Sequence, residues 1–491
     1  MKKILIANRG EIAVRIIRSI RDLGLKSVSI YDQNDWQSLH VKLSDECYVI
    51  QSEMDKATHI EIIELAKRVK ADAIHPGYGF LAEQADFAET CADAGIIFIG
   101  PSPEILSLLQ DRFTVLELVK RAGIPTPKFL KKLFFVNQID EIVEACVEME
   151  YPLIFQARYH QPGRSIWFIE NQAQAIEMLE RLQQKQPNLE LFLEEKISPV
   201  HLVRVIILRM QNKDSIVFNE IDSSIQFRNR RLIEESPSPI ITPKQRNEIS
   251  QITHEVTRCL NFSGLGTLDF LVDTAGNVFF SKIKPYLPAS HVLTEIATGL
   301  DLVALQIMHS AGMGPGIRQD DIQAKHSLLC RISAVDPYKN FLPSPGVIRK
   351  FRLPAGPFVR CDTHISDGYQ LPEKFDPILA KISVFSNDRA SLLSRMRRVL
   401  SETSISGITT DLPVLLNILD QPEFTKSLYH TDFLNQRFEG LLESINEIPS
   451  EDEYKNFAIA TAAAYYYQRK FFRPTMPERL KSTWHQESRK P

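Results

Sequence analysis

The chain has 491 residues, which is enough for several domains, each with a hydrophobic core of its own. Hydrophobic residues make up 44% and charged residues 24%, as in an ordinary globular protein, and the formal net charge of -3 gives no argument for binding nucleic acid or a membrane. Six cysteines are scattered without CxxC spacing, which favours reduced thiols over a disulfide framework or a zinc site.

The apolar runs of the chain are short. The start, MKKILIA, resembles the beginning of a signal peptide, but Asn8, Arg9 and Glu11 end its apolar run. A secretory segment needs an apolar run of about 7 to 15 residues. No apolar run approaches the roughly 18 residues that a membrane-spanning helix requires. We therefore expect a soluble, cytoplasmic protein without a membrane or nucleic-acid partner.

Residues 1–110 alternate between strand-like and helix-like patterns. The apolar run 3–7 is followed by a turn at Gly10 and by apolar residues at helical spacing up to Ile20. The segment 25–31 then forms the next strand. Such a β-α-β start predicts an α/β domain with a doubly wound parallel sheet and helices on both of its faces.

The rest of the chain divides into three further parts. Residues 111–197 predict a small lid with strands in YPLIFQA and SIWFIE. Residues 198–445 predict a larger α+β domain, in which a turn at Gly276 joins the antiparallel strands GLGTLDFLVD and GNVFFSKIK. Residues 446–491 begin like a linker, contain one helical stretch and end in a basic segment, so we expect a helical, partly flexible tail.

Five segments together carry a resemblance to a known family. They are LIANRGEIAVRIIR at 5–18, HPGYGFLAE at 75–83, IFIGPSPEI at 97–105, EESPSPIITP at 234–243 and FLPSPG at 341–346. In order and spacing they resemble the biotin carboxylase family over about residues 1–445. The resemblance implies an ATP-grasp fold and an activity in which ATP activates bicarbonate as carboxyphosphate, whose CO₂ passes to biotin. Because the sequence has no AMKM-like attachment site, biotin would be carried by a separate protein.

The family's phosphate-binding residues are largely replaced. In the family a lysine and a run of glycines close over the phosphates, and the matching stretch here, 156–164, has Gln156 at the lysine position and Gly163 as its one glycine. Side chains and Pro162 remove the backbone freedom and an N–H donor that such a loop needs. Arg112 stands where a second phosphate-facing lysine is expected, and since arginine keeps the charge we predict that it grips an anion.

The magnesium site implied by the resemblance is altered as well. Of its two carboxylates, Asp269 fills the position in GTLDF, whereas the second falls on Lys282 in FFSKIK and a nearby asparagine falls on Lys284. Since side chains alternate along a strand, both lysines share the face that should present the metal ligands. At about 4 Å one such contact of unit charges is worth about 4 kcal/mol at an effective dielectric constant of about 20. Mg²⁺ binding is therefore predicted to be doubtful, with Asp269 as the single remaining ligand candidate.

The residues that handle biotin and carboxyphosphate in the family are replaced in part. Ser290 occupies the position of the glutamate base and has no useful basicity near neutral pH. Tyr286 occupies the position of an arginine. Arg331 is retained, and the resemblance implies that it steadies carboxyphosphate and the biotin enolate. Further candidate nucleotide-binding residues, retained or changed conservatively, are His201, Gln226 and Arg231.

Three hypotheses remain open for the function. The first is a catalytically impaired biotin carboxylase homologue, a pseudoenzyme that serves as a structural or regulatory subunit of an acyl-CoA or pyruvate carboxylase. The second is an active biotin carboxylase subunit that works on a separate carrier protein. The third is a module that binds ATP or an acidic metabolite without magnesium, through the cations Arg112, Arg231, Lys282 and Lys284. Against the third stands the interpretation that the two lysines belong to a solvated strand face and that His201 is structural.

Assembly is predicted from three further positions. Arg18, Asp22 and Arg360 match charged residues that help to form a two-fold dimer in the family. We therefore expect a homodimer that meets a biotin carboxyl carrier protein or other carboxylase subunits. Pro357 replaces a family phenylalanine, and exposed charges contribute only about 0 to 1 kcal/mol, so these residues alone do not establish a dimer.

Overall fold

A computed structural model describes most of the chain in two compact units, Met1–Leu441 and Leu442–Pro491. The described residues are 1–51, 56–159, 165–211, 214–227, 230–314, 316–322, 325–373, 375–445 and 458–467. In the second unit, 458–467 are helical. The candidate site lies wholly in the first unit.

The N-terminal part alternates between strands and helices, namely β1 (Lys3–Ile6), α1 (Gly10–Asp22), β2 (Lys26–Tyr31), α2 (Leu39–Leu43), β3 (Glu46–Val49), α3 (Lys56–Val69), β4 (Ala73–His75), α4 (Ala85–Asp93), β5 (Ile97–Phe98), α5 (Pro103–Gln110) and α6 (Arg112–Arg121). Its five strands are parallel, in the order β3-β2-β1-β4-β5, which confirms the predicted parallel sheet. Ile4 and Ile6 face one core and Leu5 faces another, so both faces of the sheet are covered.

A small antiparallel sheet forms the middle of the unit. Its elements are β6 (Phe134–Phe135), α7 (Ile139–Met149), β7 (Leu153–Ala157), β8 (Ile166–Ile169), α8 (Gln172–Lys185) and β9 (Glu190–Glu195). The strand order is β6-β9-β7-β8. Phe155, Trp167 and Leu179 belong to one buried cluster, which packs the two helices on this sheet.

The largest part is a nine-stranded antiparallel sheet. The first elements of this part, in chain order, are β10 (Val200–Arg209), β11 (Ser215–Val217), β12 (Ile221–Phe227), β13 (Arg230–Ser236), α9 (Pro243–Cys259), β14 (Gly264–Asp273), β15 (Val278–Lys284), α10 (His291–Thr298), α11 (Leu302–Ser310) and β16 (His326–Ser333). The elements that follow β16 in the chain are β17 (Val335–Asp336), β18 (Leu342–Pro343), β19 (Gly346–Val347), β20 (Lys350–Arg352), β21 (Val359–Thr363), β22 (Gln370–Leu371), β23 (Ile378–Ser386), α12 (Arg389–Glu402), β24 (Ser404–Ser406), α13 (Leu412–Asp420), α14 (Pro422–Thr425) and α15 (Phe433–Ile445). Of these, β21 and β23 belong to the nine-stranded sheet.

The strand order of this sheet decides which side chains meet. The order is β15-β14-β10-β12-β13-β16-β23-β21, with β11 paired to β10. In the register of these antiparallel strands, Asp269 of β14 lies opposite Arg204 of β10 on one side and opposite Lys282 of β15 on the other. The hairpin predicted around Gly276 is therefore present, and it carries a carboxylate and a lysine side by side.

The structure shows the state of the cysteines and whether any helix could span a membrane. All six cysteines are free thiols, and Cys91, Cys146 and Cys330 are buried. Among the described residues no single helix is long and apolar enough to cross a membrane. The pair α10 and α11, bent by 102° at their junction, meets the length and composition test together.

Among the glycines that the structure describes, Gly407 leaves the least room for a Cβ atom. Its φ is +102°, and a Cβ there would overlap the carbonyl oxygen of Val347 and lie 3.0 Å from the backbone nitrogen of Arg349. We expect Gly407→Ala to lower the free energy of unfolding by about 3 kcal/mol, because positive φ and backbone displacement act together. Gly95→Ala is the control, since Gly95 has φ +69° with nothing within 4 Å. Gly95→Ala should lower the free energy of unfolding by about 1 kcal/mol, the cost of positive φ alone, and equal losses in urea unfolding at both positions would contradict the steric argument.

Candidate functional site

A group of opposite charges lies across neighbouring strands of the large sheet, between β15 and β16. We call it the charged cluster. Each member stands on a strand whose other residues are mainly buried, and the strand order places their side chains near one another. The members are Arg204, Arg231, Glu234, Asp269, Lys282, Lys284 and Arg331.

Asp269 is the centre of the charged cluster and is fully buried. Arg204 donates from Nε to Oδ1 at 2.7 Å and from Nη2 to Oδ2 at 3.1 Å. Lys284 Nζ and Arg231 Nη2 lie 3.6 Å and 3.7 Å from the same Oδ2. Burial acts to raise the pKa of Asp269, but the cations, Arg204 first, hold that pKa well below its usual value. The carboxylate is therefore ionised, and three protein cations share its charge.

Glu234 is a second fully buried carboxylate. Arg331 forms an ion pair with its Oε2, Ser223 donates to Oε1 at 2.7 Å, and Arg204 Nη1 lies 3.5 Å from Oε1. Burial opposes ionisation, yet Arg331 and then Arg204 lower the pKa of Glu234 to about 2. Arg204 therefore bridges the two buried carboxylates.

The sequence analysis did not single out Arg204 or Glu234. A signal for Arg204 was available, because it is the one charged residue in the otherwise apolar run 202–208. A charged side chain in a buried strand needs an ionic partner. The identity of that partner could not be predicted from the sequence, because it depends on the pairing of β10 with β14.

Lys282 and Lys284 meet at Asp269, on the shared strand face that alternation predicts. Burial is the main cause that lowers the pKa of Lys282 to about 8; Asp269 opposes this shift, and Arg231 adds to it. Burial also holds the pKa of Lys284 well below its usual value. The side chain of Lys284 is only 19% exposed, less than a solvated strand face would leave.

The residues around Asp269 do not fit a magnesium ion. Mg²⁺ takes an octahedral shell of oxygen ligands at about 2.0–2.1 Å. Both carboxylate oxygens of Asp269 already accept hydrogen bonds from Arg204, and Lys282 stands directly opposite. In the described ranges, no group of three or more His, Cys, Asp and Glu side chains is arranged to hold a metal ion. A cation bound here would have to displace fixed protein cations.

Arg112 and Gln156 are held by neighbouring groups. Arg112 donates to the carbonyl oxygen of Ser281 and, at 3.2 Å, to Oε2 of Glu194. Its charge is thus paired, although it lies close enough to Lys282 to act on that lysine. The buried Gln156 donates to the Ser165 carbonyl oxygen at 3.0 Å. The predicted lid residues 160–164 lie outside the described residues.

His201 packs against an aromatic ring, whereas Gln226 lies beside a member of the charged cluster. His201 lies opposite Val272 at the start of β10, and its ring centroid is 6.3 Å from that of Tyr429. Burial first, and then His430, lowers the pKa of His201 to about 4, so it is neutral and packed. Gln226 lies opposite Arg231 in the register of β12 and β13, next to the charged cluster. Residues 228–229 lie outside the described ranges.

The position expected for a catalytic base offers no carboxylate. Ser290 is fully buried at the start of α10, and in the described part of the chain its Oγ has no hydrogen-bond partner. Beside it, Lys381 Nζ donates to the Ala289 carbonyl oxygen at 3.1 Å and pairs with Glu11 Oε2 at 2.8 Å. The other oxygen of Glu11 accepts from the Tyr78 hydroxyl. Both carboxylate oxygens of Glu11 therefore have partners within the protein.

The neighbours of Ser290 do not supply a base either. His291 is buried, with Nδ1 2.8 Å from the Pro288 carbonyl oxygen, and burial holds its pKa well below its usual value. Tyr286 hydrogen-bonds to Glu83, and burial, then that carboxylate, raises the pKa of its hydroxyl. Tyr286 is thus a neutral donor where the family has an arginine.

The charged residues predicted at a dimer interface are partly used within the chain. Arg360 forms ion pairs at 2.8 Å with Glu295 and with Asp362. Arg18 is 51% exposed and lies 3.7 Å from Asp362, while Asp22 is exposed. Arg360 therefore joins β21 to α10, and Arg18 and Asp22 face outward.

Three family models match the chain one after another. The model described as biotin carboxylase, N-terminal domain, matches residues 1–106, and the one described as biotin carboxylase C-terminal domain matches 329–436. Between them, the model of the carbamoyl-phosphate synthase L chain, ATP binding domain, matches 111–314. Together they cover most of the first unit.

Individual relatives agree with these models. Biotin carboxylase 1 of Bacillus subtilis is 34% identical over 443 residues, which are 88% of this chain and 98% of that protein. The biotin carboxylase domain dimer of Hydrogenobacter thermophilus 2-oxoglutarate carboxylase, in complex with MgADP, ADP and bicarbonate, is 34% identical, with a TM-score of 0.85 over 90% of this chain and 98% of that one. The biotin carboxylase domain of a thermophilic 2-oxoglutarate carboxylase, bound to ADP without magnesium and with a disordered phosphate tail, is 33% identical, with a TM-score of 0.76 over 90% of this chain and 99% of that one.

Proposed function

Because this chain belongs to the biotin carboxylase family, we propose that it serves an acyl-CoA or pyruvate carboxylase system as a catalytically impaired homologue, in a structural or regulatory role. The relatives are biotin carboxylases and give no sign of impairment of their own. What favours impairment here is the environment of one carboxylate. Asp269, the remaining candidate ligand for magnesium, is enclosed by Arg204, Lys284 and Arg231.

The position of the base supports the same proposal. A positioned general base contributes about 10²- to 10⁴-fold to a rate, and it has to accept a proton near neutral pH. Ser290 lacks the basicity, His291 is buried and adjoins a protein cation, and Glu11 is occupied by Lys381 and Tyr78. What the chain keeps is Arg331, and its guanidinium is engaged by Glu234.

The proposal predicts the outcome of an ADP-release assay. With ATP, Mg²⁺, bicarbonate and biotin, the purified protein should turn over at less than about a thousandth of the rate of the Bacillus subtilis relative, because loss of the base alone removes about 10²- to 10⁴-fold and loss of the metal site adds to it. The relative measured in the same buffer is the control. ADP release that rises with both bicarbonate and biotin, and that Arg331→Met abolishes, would instead establish an active biotin carboxylase subunit.

We also propose that the chain forms a homodimer and meets a separate biotin carboxyl carrier protein or other carboxylase subunits. The Hydrogenobacter thermophilus domain is a dimer, and Arg18 and Asp22 are exposed here. Light scattering of the purified protein distinguishes a dimer from a monomer, and co-purification with a biotinylated carrier tests the second contact. The division at residues 110, 197 and 445 and the cytoplasmic location stay predictions.

A further inference from the structure

The charged cluster holds more positive than negative groups. Arg204 saturates one carboxylate, since both oxygens of Asp269 accept from it, and Arg331 pairs with Glu234. Arg231 and Lys284 reach only one oxygen of Asp269, at 3.7 Å and 3.6 Å, which is too long for a hydrogen bond. A cation at such a distance keeps most of its hydrogen-bonding capacity.

Several donors in the charged cluster have no acceptor. In the described part of the chain, the buried Nε atoms of Arg231 and Arg331 lack a hydrogen-bond partner. Within the same ranges Lys282 forms no ion pair, although it lies close enough to Asp269, Arg231 and Arg112 for each to act on its charge. The side chains of Lys284 and Arg231 are 19% and 17% exposed, so part of each reaches solvent. A place with unpartnered N–H donors and more positive than negative groups suits an anion with several oxygens.

We propose that Lys282, Lys284 and Arg231 bind a phosphate-class oxyanion, either free pyrophosphate or the terminal phosphates of a nucleotide, without a divalent cation. A phosphate presents three or more acceptor oxygens, and arginine and lysine are its usual protein partners. The inference rests on the proposed function in one respect, namely that magnesium has no place at Asp269. In the thermophilic relative with ADP but without magnesium, the phosphate tail is disordered. Here fixed cations stand beside the metal position, and we expect them to order the phosphates.

The test is isothermal titration of the full chain in EDTA at pH 7, with inorganic pyrophosphate in one series and ADP in another. The site variants are Lys282→Met and Lys284→Met, and the control is Lys185→Met, which removes an exposed lysine from the end of α8. We expect the wild type and Lys185→Met to bind in EDTA, and each site variant to bind at least about tenfold more weakly. Urea midpoints of all four proteins establish that the variants are folded.

The outcomes separate cleanly. Equal affinity for pyrophosphate and ADP supports recognition of the phosphates alone, and tighter binding of ADP supports a nucleotide. No binding at millimolar ligand in EDTA, binding that returns only with Mg²⁺, or unchanged affinity in both site variants overturns the inference. Bicarbonate-dependent ADP release with Mg²⁺ would refute the proposed function, yet binding in EDTA lost in Lys282→Met would still stand, so the two failures are distinguishable.

Discussion

Replacing Asp269 by asparagine is expected to lower the free energy of unfolding by about 3–5 kcal/mol at pH 7. The carboxylate is fully buried and holds Arg204 through two hydrogen bonds, with Lys284 and Arg231 close by. An amide carries no charge, so the substitution leaves buried cations without their counter-ion. Urea unfolding of wild type and variant measures the loss.

The sign of this change discriminates between two kinds of site. Where carboxylates are held together for a metal, neutralising one relieves repulsion and stabilises the metal-free protein. Asp22→Asn is the matched control, because the same chemical change on the exposed Asp22 should leave the unfolding midpoint in place. An Asp269→Asn variant that is more stable than the wild type, or a wild type that Mg²⁺ stabilises strongly, would contradict the structural role of Asp269.

The effect of Asp269→Asn should also depend on pH. Burial acts to raise the folded-state pKa of Asp269, but the neighbouring cations, Arg204 foremost among them, hold that pKa well below its usual value. A group with a depressed folded pKa contributes stability above its unfolded pKa of about 3.9 and loses it as the pH falls through the folded value. The difference between wild type and variant should therefore be constant from pH 5 to 7 and shrink only below about pH 4.

Lys381→Met is expected to cost about 3–5 kcal/mol of unfolding free energy as well. Lys381 and Glu11 are 1% and 5% exposed and form an ion pair at 2.8 Å, which joins β23 to α1. Methionine fills a similar volume but leaves the Glu11 carboxylate buried without its cation. The added substitution Glu11→Gln should recover part of the loss, since it removes the unpaired charge and keeps an acceptor for Tyr78.

An exposed pair of the same type provides the control. Lys132 and Glu141 lie 2.9 Å apart, but their side chains are 53% and 52% exposed. Lys132→Met should leave the urea midpoint unchanged, because water already solvates both charges. If both lysine variants lost the same stability, the burial of the Lys381 pair would not be the cause. A double variant no more stable than Lys381→Met would show that Glu11 is not the group left unpaired.

The fold was predictable because its signals are local. The β-α-β start follows from the strand at 3–7, the turn at Gly10 and helical spacing up to Ile20, and the structure confirms the parallel sheet. The neighbourhood of Asp269 and Lys282 also followed, since one short turn joins β14 to β15 and fixes their register. Both predictions depend on residues that are close in sequence or on a periodic spacing of apolar residues.

The rest of the site was not predictable because it depends on pairs distant in sequence. Arg204 meets Asp269 only through the pairing of β10 with β14, and Arg331 meets Glu234 across 97 residues. The sequence predicts that Arg112 binds an anion, and its partner in the structure is Glu194, which lies 82 residues away in the chain. Tertiary strand order decides these partners, and no periodicity in the sequence encodes it.

The ion pairs of Glu295 bear on how the chain folds as it is made. Glu295 of α10 accepts from Arg15 of α1, 280 residues earlier, and the apolar face of α1 shares one core with residues of α10 and α11. At about 5–20 residues per second, a ribosome needs roughly 15–60 s to supply that partner. Until then the nascent N-terminal part lacks the partner of Arg15 and the helices that cover the apolar face of α1, so we expect it to be most prone to aggregation during this interval.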